Sequence, residues 1–418
     1  MQKTETIARL KAVCILVIIF NIASSAAILA ATQTSVATRQ IFNSSWWPEA
    51  FQQSTGVPGQ TWQLQSLERF ILNERKSDFR FRLEFELAAT HFSTASSRQN
   101  QSWQTRRNAS GFKAIKSDSS WLNRDNNQIT AEIERCEISF YKGKFDFQLG
   151  RQPVSFGTSH YVSIMDVLTP FQPGYLDSSY KPGIDALRIR TLSGTTGEQE
   201  IILAAADDSA NNAIIGRWRD TFAGFDLEIV GGRFRKRNFF AAGWEGERKK
   251  INFWGEIGIF RRMKNLDPHL GGISKNLAIS WIAGIEKDTG RDWRHGIAFL
   301  HQDFGARTVE NLGRAYASQP LQQGWAHLAA SDYIIFNSNK EVSPLINFNL
   351  NSMLSLVDHS ILLQPVLNIS LDDESDISFF CWLNSGSQPK TSTQALQQIT
   401  SEFGSFPSGA GFILRRFF

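Results

Sequence analysis

Apolar and polar residues alternate strictly along much of this chain. The alternation is sharpest in DFRFRLEFELAATHF, residues 78–92, where phenylalanine and leucine occupy one face and arginine and glutamate the other. A period of two predicts a strand whose two faces meet different surroundings. The same pattern recurs in GFDLEIVGG (224–232), KINFWGEIGIF (250–260) and LINFNLNSML (345–354). Helical periodicity is almost confined to WWPEAFQQ, residues 46–53.

The alternating segments define seventeen candidate strands between residues 62 and 418. Bacterial barrels with one chain have even strand numbers, so we expect one weak strand before residue 62 and eighteen in total. Sixteen is the alternative, if 212–219 and 332–338 are not strands. Near Arg135 the alternation changes phase, which predicts a β-bulge.

These features predict an all-β fold, a single transmembrane antiparallel β-barrel of about 18 strands. A tilted strand of roughly 9–11 residues crosses a bilayer, and a closed sheet leaves no backbone group unpaired in lipid. The long connections, which fall at one end of the strands, are 92–126, 152–183, 262–275, 304–331 and 385–408. Short periplasmic turns and long outer loops are typical of such barrels.

The first residues predict a secretory signal peptide over 1–27, with a basic start, an apolar run and a Ser/Ala cleavage region. A membrane-anchoring helix is the alternative, because the apolar run approaches spanning length. We assign 28–58 to an N-terminal periplasmic segment that includes a short helix or plug, and 59–418 to the barrel. The expected location is the cell outer membrane of a Gram-negative bacterium, after signal-peptide cleavage.

Composition narrows the function classes. The formal net charge is only +4, so we expect no nucleic-acid partner. Cys136 and Cys381, the cysteines that follow the leader, have no metal-binding spacing. The seven histidines form no HExxH motif, and no G-x-S-x-G motif is present. We therefore predict no catalytic residues, no metal site and no cofactor.

The polar faces of the predicted strands carry charges that would line the barrel interior. Arginine at the lipid face near the bilayer midplane would cost roughly 2–4 kcal/mol, so the phase of these charges is constrained. Fixed charges in a water-filled pore select ions by sign, and the arginines favour an anionic solute. The alternative is that the charges pair across neighbouring strands. The predicted pore-lining residues are Arg80, Arg82, Glu84, Glu86, Arg151, Arg188, Arg190, Arg217, Arg219, Asp226, Glu228 and Glu256.

Residues 152–183 form a long connection that contains several aromatic residues together with Asp166, Asp177 and Lys181. Long connections without their own secondary structure are usually functional. We therefore expect this segment to fold inward and to act as a constriction loop with these three charged residues. The alternative is an outer loop packed on the barrel rim.

Two stretches resemble those of known proteins. GFILRRFF, at residues 411–418, is similar to the aromatic C-terminal signal of outer-membrane proteins through Phe412, Leu414 and Phe418, and departs from it at Arg416. The resemblance implies the barrel-assembly machinery as a partner, and outer-membrane lipid as the surroundings.

Residues 147–190 resemble a signature of porin-like and alginate-export-type outer-membrane barrels, with G-R-Q, an aromatic-Gly turn, D-x-x-x-P-F and K-x-G-x-D. The matching positions are Gly150, Arg151, Gln152, Phe156, Gly157, Asp166, Pro170, Phe171, Lys181, Gly183 and Asp185. This resemblance implies a pore but no particular solute.

Three functions follow from these patterns. The first is a porin that passes small, anionic solutes by diffusion or selective passage. The second is a plugged barrel that exports polysaccharide or binds a partner. The third is an outer-membrane hydrolase, whose catalytic residues could converge in space without a local motif.

Overall fold

The computed structural model describes residues 33–95, 111–124, 126–170, 180–261, 277–323, 326, 328–389 and 399–418. The predicted signal peptide lies outside these residues. The described strands are β1 Gln33–Trp46, β2 Gln60–Lys76, β3 Phe79–Phe92, β4 Ser119–Arg124, β5 Asn127–Lys142, β6 Phe145–Gln152, β7 Ile184–Ser193, β8 Gly197–Ala204, β9 Ala213–Phe222, β10 Phe225–Phe234, β11 Arg237–Arg248, β12 Ile251–Arg261, β13 Leu277–Gly290, β14 Trp293–Gln302, β15 Asp332–Ser343, β16 Ile346–Ser355, β17 Ile361–Asp372, β18 Ser375–Ser385 and β19 Ser408–Phe417.

Short helices occur only in connections, within the described parts of the chain. The α-helices are α1 Glu49–Thr55, α2 Leu312–Tyr316 and α3 Gln319–Gln322, and single 3₁₀ turns span Ser209–Asn211 and Val309–Asn311. None of the described helices combines the length and the apolar character needed to cross a membrane.

Eighteen strands close into one antiparallel barrel. β1 pairs with both β2 and β19 and thereby closes the sheet. The backbone of Phe418 extends this seam, because its amide donates to the Val36 carbonyl at 2.8 Å and its carbonyl accepts from the Val36 amide at 3.1 Å. β4 is an additional short strand that pairs with the first residues of β5, where β6 does not reach. The predicted all-β barrel is confirmed.

The strand missing from the sequence pattern is β1, Gln33–Trp46. It was missed because its alternation is weak: QTSVATRQIFNSSW mixes small polar and apolar residues on both faces. The barrel therefore begins at Gln33 and not at residue 59, which corrects the boundary of the N-terminal segment.

The predicted short helix is present as α1, but its location differs from the prediction. α1 lies in the connection from β1 to β2, at the end of the barrel that also carries the long connections. β2 runs from one end of the barrel to the other, so α1 before it and the short turn 77–78 after it lie at opposite ends. α1 is therefore not at the short-turn end, which is the periplasmic end of such barrels.

The two ends of the barrel have very different connections. At one end every connection is a turn of two or three residues, namely 77–78, 143–144, 194–196, 223–224, 249–250, 291–292, 344–345 and 373–374. Lys249 and Lys250 both have positive φ, as do Arg291 and Asp292. Two successive positive φ angles define the type I′ turn, whose twist matches that of antiparallel strands. We call this the short-turn end and the opposite one the long-loop end.

The predicted bulge lies on β5. The pairing of β3 with β5 passes from Glu84–Arg135 to Phe85–Ile133, so Glu134 has no partner of its own in this pairing. The extra residue shifts the phase by one position and keeps charges on the same face on both sides of it. The change of phase read from the sequence is confirmed.

The two faces of the wall differ as the alternation predicts. Phe79 is 55% exposed, whereas Glu84 on the opposite face is fully buried. The exposed face also carries Ile257, Phe253 and Leu383. The outer face is therefore apolar, and the charged face is turned inward.

At the long-loop end, however, the inner face is apolar as well. Ile184, Ile202, Ile215, Val230 and related residues of β7–β13 form a buried cluster with Val154, Phe156, Met165, Val167 and Leu168 from the β6–β7 connection. A second cluster joins β12–β19 to residues 306–330 and Phe403. The barrel core is thus formed where connections pack inside the wall.

We predict that Ile257→Arg, in the middle of β12 on the outer face, lowers the free energy of unfolding in lipid vesicles by about 2–4 kcal/mol. The matched control is Leu371→Arg, at the short-turn end of β17, where the cost is about 0–1 kcal/mol. Denaturant unfolding followed by tryptophan fluorescence measures both. Equal costs at the two positions would contradict a lipid-facing outer wall.

Candidate functional site

The β6–β7 connection lies inside the barrel; we call its described residues, 153–170 and 180–183, the inner loop. Glu256, on the inner face of β12, accepts hydrogen bonds from four backbone amides and one hydroxyl of this loop at 2.6–3.1 Å. The donors are the amides of Thr158, Ser159, Ile164 and Met165 and the Ser163 hydroxyl. Glu256 is fully buried, so five donors compensate the burial of one carboxylate.

The inner loop approaches the wall closely because glycines leave room for it. Gly157 has a φ of +103°, and a Cβ there would collide with the Glu256 carboxylate. In the wall, a Cβ on Gly243 would contact Met165 at 2.8 Å, and one on Gly258 would contact Ile164 at 2.7 Å. The aromatic-Gly turn of the sequence signature thus has a physical role, since only glycine fits at residue 157.

Next to this anchor, His160 bridges two carboxylates of the wall. Its Nδ1 lies 2.8 Å from Glu286 and its Nε2 3.1 Å from Glu245. The imidazole stacks on Trp254 at 5.2 Å between ring centroids, and the Tyr161 hydroxyl donates to Glu286 at 2.9 Å. The hydrogen bond to Glu286 raises the pKa of His160 above its ordinary value.

The other end of the inner loop contacts the opposite part of the wall. The Tyr180 ring lies under the guanidinium of Arg69, 3.3 Å from its centroid, and 4.6 Å from that of Arg135. Its hydroxyl donates to Glu84 and accepts from Arg135 Nε at 2.9 Å. Since these residues belong to β2, β3 and β5, the connection spans the interior from β3 to β12 and β13.

The predicted constriction residues Asp166 and Lys181 are brought together as a buried ion pair. Lys181 also donates to the Ser155 hydroxyl at 2.9 Å. Burial raises the pKa of Asp166, and Lys181 opposes this shift. The pair closes the base of the loop and does not present its charges to water. Asp177 lies outside the described residues.

Eleven of the twelve predicted pore-lining residues lie on the inner face by pairing register. Most form ion pairs with neighbouring strands: Arg188 with Glu200 at 2.5 Å, Arg190 with Asp146 at 2.5 Å, and Arg217 with Glu228 at 3.1 Å and Glu198 at 3.0 Å. Arg219 lies 3.6 Å from Asp226, and Arg82 pairs with Glu84. Cross-strand pairing, the alternative considered from the sequence, describes these arginines except Arg82, whose partner Glu84 lies on the same strand, β3.

Arg151 departs from the prediction. Its register partners are Cys136 and Asp185, and it shares a face with the exposed Leu149 and not with Gln148 or Gln152. It is 4% exposed, and its guanidinium donates to Asp185, to Ser117 and to two backbone carbonyls. Arg151 therefore connects the long-loop end of β6 to residues 115–117 and does not face the interior.

Arg75 and Arg80 differ from the paired arginines. They are direct cross-strand partners near the short-turn end, on the inner face of β2 and β3. Neither has a carboxylate within ion-pairing distance among the described residues. Two adjacent like charges without a directly paired carboxylate form a local positive patch, which Glu137 of β5 moderates through its electrostatic interaction with Arg80.

A cavity of about 400 Å³ opens at the short-turn end beside His160. It is bordered by Asp226, Glu245, Glu286, Asp288 and Arg294, among others. The carboxylates Glu245 and Glu286 and the arginine partners Glu198, Glu200 and Asp146 were missed from the sequence. Their inward phase could have been read from the same alternation, but their contacts depend on register and on the inner loop.

Two further connections also pack inside the long-loop end. Glu402 is buried and accepts from the amides of Ala329 at 2.6 Å and Ala330 at 3.0 Å and from the Tyr333 hydroxyl. Burial raises the pKa of Glu402 to about 7. The segment 304–331 was expected to be an outer loop, yet it lies against the inner wall through Leu328, and sequence alternation carries no signal for this.

The residues of the predicted C-terminal signal lie on the outer face of β19. Phe412 pairs in register with Phe42 and Phe379, and Leu414 with Ile377. The Arg416 guanidinium lies 4.8 Å from the Phe418 ring centroid, next to the short-turn end. Recognition by assembly machinery stays a prediction.

Among the described histidines, His91, His160, His295, His301 and His359, none forms a hydrogen bond with a serine hydroxyl. His301 pairs with Asp332 at 2.7 Å, and His91 contacts Asn127 at 2.7 Å. No cluster of metal-ligating side chains occurs within the part of the chain that the structure describes. Cys136 and Cys381 are free thiols.

Comparison with solved structures identifies the fold. OccAB1 of Acinetobacter baumannii superposes with a TM-score of 0.55 at 8% identity, covering 93% of this chain and 96% of that chain. OccD3 (OpdP) of Pseudomonas aeruginosa gives 0.53 at 7% identity over 93% and 92%, and OccK11 (OpdR) of the same species gives 0.53 at 6% over 92% and 95%. No family model and no curated protein matches the sequence. The prediction of a porin-like barrel is confirmed.

We predict that Glu256→Gln loosens the inner loop, because a neutral amide offers only one acceptor oxygen to five donors. Hydrogen exchange of the peptide covering residues 158–165 should accelerate by at least about tenfold, the change expected for a loss of ~1.4 kcal/mol. Glu247→Gln is the matched control, since Glu247 is an exposed residue of β11. Unchanged exchange in Glu256→Gln would mean that packing alone holds the loop.

The His160 contacts predict a pH dependence of loop docking. Because docking raises the pKa of His160, its stabilisation is complete below the ordinary value of 6.5 and is lost as pH rises through the raised value. The ionisable groups around this histidine are Glu245 and Glu286, which contact it directly, and Tyr161 and Arg294, which interact with Glu286.

The measurement is exchange of the same peptide from pH 6 to pH 9, corrected for intrinsic exchange. Opening should increase towards alkaline pH in the wild-type protein, and His160→Gln should abolish that dependence. A pH dependence that persists in His160→Gln would assign it to another group.

Proposed function

We propose that the protein is an outer-membrane channel through which small polar solutes pass by diffusion or by selective passage. The observation that supports this most directly is the inner loop, which crosses the interior of an 18-stranded barrel and is held there by Glu256. A loop anchored inside a barrel narrows the cross-section of the interior, and it places fixed charges where a solute passes.

The surroundings favour the outer membrane. The outward face of the wall carries exposed phenylalanine, isoleucine and leucine. All turns are short at one end of the barrel, and the long connections lie at the other end. Both features are those of single-chain barrels in Gram-negative outer membranes. Lipid is then the direct contact of the outer wall.

An anionic solute is the finer proposal, and the arginines support it only in part. Arg188, Arg190 and Arg217 are neutralised by carboxylates at 2.5–3.1 Å, so their charges contribute little at a distance. Arg75 and Arg80 lie near the short-turn end without such partners. We assign the anion preference to these two residues.

A second candidate is a plugged barrel that binds a partner or exports polysaccharide. The second apolar cluster favours it, because residues 306–330 and Phe403 fill part of the interior at the long-loop end. Both candidates share the fold and differ in whether a continuous aqueous path remains.

The test is reconstitution of the full mature chain in planar bilayers. We expect stepwise ionic current with a reversal potential, in a KCl gradient, that favours chloride. Arg75→Gln/Arg80→Gln should shift this potential towards potassium, because two positive charges without a directly paired carboxylate are removed. Lys76→Gln is the matched control, since Lys76 pairs with Phe79 on the outer face.

Absence of current from folded protein would overturn the channel and favour the plugged barrel. Current whose selectivity is unchanged in the double variant would keep the channel and overturn the role of the two arginines.

A further inference from the structure

The sector of the inner wall formed by β16 and β17 has no ionisable residue. By register, its inward positions are Asn347, Asn349, Asn351, Met353 and Ser355 on β16 and Leu362, Gln364, Val366, Asn368 and Ser370 on β17. In contrast, the inward faces of β3, β9 and β10 carry arginine and glutamate. The interior therefore contains one electrically neutral wall beside charged ones.

Asparagine side chains on the inner faces of β15 and β16 form two hydrogen-bonded groups, which together we call the amide ladder: Asn337 with Asn351, and Asn339 with Asn347 and Asn349. Asn337 Nδ2 donates to Asn351 at 2.6 Å, and Asn349 Nδ2 donates to Asn347 at 2.7 Å. Asn339 Nδ2 donates to Asn347 at 3.0 Å and also to Asn349. On the neighbouring strands Asn368 accepts from Ser378 at 2.7 Å.

The ladder leaves hydrogen-bonding capacity unused. An amide offers two donors and an acceptor oxygen with two lone pairs, and Asn351 spends only its oxygen within the ladder. All five amides are half-buried and not fully enclosed. In an enclosed core such amides would need complete pairing, because buried polar groups are hydrogen-bonded. These amides are partly exposed, and their remaining donors and acceptors can therefore meet a ligand.

A cavity of about 560 Å³ lies at the short-turn end of this sector. Asn347 and Asn368 border it, together with Asp376 and Arg415. The two charged residues pair with each other at 2.6 Å, and Arg415 also donates to Ser378 at 2.9 Å. The charges of Asp376 and Arg415 are therefore compensated. Glu341 of β15, the register partner of Asn347, also borders this cavity, so the charge-free part of the sector begins inside the barrel mouth.

We propose that the amide ladder is a binding track for neutral, hydroxyl-bearing solutes such as sugars and polyols. Successive strands lie ~4.8 Å apart, so the ladder presents amide donors and acceptors at regular intervals. A hydroxyl group both donates and accepts, and it binds such a surface without the desolvation of a charge. An anion gains no counter-charge here, so this track is separate from the Arg75 and Arg80 patch.

The inference rests on the proposed function, because a track serves transport only in an open barrel. The experiment uses ionic current through the reconstituted full chain, with sucrose as the neutral probe and gluconate as the charged one. We expect sucrose, and not gluconate, to interrupt the wild-type current in a saturable manner. In Asn349→Leu/Asn351→Leu the half-saturating sucrose concentration should rise by about tenfold, as for the loss of one or two hydrogen bonds.

Two further variants make the result specific. Asn351→Asp keeps the size of the side chain but replaces two donors by charge, so it should weaken the sucrose effect even if the leucine variant folds poorly. Asn73→Leu, on the inner face of β2, is the matched control and should leave the sucrose effect unchanged. Far-UV circular dichroism confirms the folded barrel in each case.

The outcomes separate the two proposals. Sucrose that lowers the current only as it lowers the conductivity of the bath, in all variants alike, overturns the track and leaves the channel intact. If no variant conducts, the channel proposal fails, and saturation-transfer NMR in detergent decides the track. Sucrose contacts that disappear in Asn351→Asp then support it, and their absence from the wild-type protein overturns it.

Discussion

Closure of the sheet is the constraint on which the rest of this structure depends. In a hydrocarbon environment every backbone amide and carbonyl needs a partner within the protein, and the pairing of β1 with β19 removes the last free edge. Closure fixes which face of each strand is inside, because neighbouring residues in register share a face. A single slip of one residue would bring Arg188 or Glu256 into lipid. The charge pattern of the inner wall and the apolar outer wall are therefore two consequences of one register.

Once the wall is closed, its interior has to be filled by side chains or by water. Buried carboxylates do much of the positioning. Glu256 accepts hydrogen bonds from four backbone amides of the inner loop. Glu402 accepts from two amides of the β14–β15 connection and from the Tyr333 hydroxyl of β15. A carboxylate accepts several charge-assisted hydrogen bonds at once, so one residue can fix the backbone path of a segment that has no secondary structure.

The alternation in the sequence was enough to predict the barrel, seventeen strands and the inward phase of most charges, because a two-residue period is visible in every strong strand. The eighteenth strand followed from the even strand number of such barrels. The alternation failed for β1, whose mixed faces carry little contrast, and consequently for the position of α1. It also failed for Arg151, where the pattern of one short strand could not separate the inner face from the outer one. Asp166 and Lys181 were expected in an inward segment, but their mutual pairing joins two separate parts of the β6–β7 connection, which alternation does not report. Contacts of this kind connect distant segments and leave no periodic trace.

The signature between residues 147 and 190 can now be read as the chemistry that places a loop inside a barrel. Arg151 and Asp185 join its two flanking strands at 2.7 Å, Asp166 and Lys181 close its base, and Gly157 allows the turn that meets Glu256. Gly183 leaves space for the Glu134 carbonyl at the bulge of β5. None of these residues needs to touch a solute for the signature to matter. The unpaired Arg75 and Arg80 on one wall and the neutral amides of β15 and β16 on another lie outside this signature.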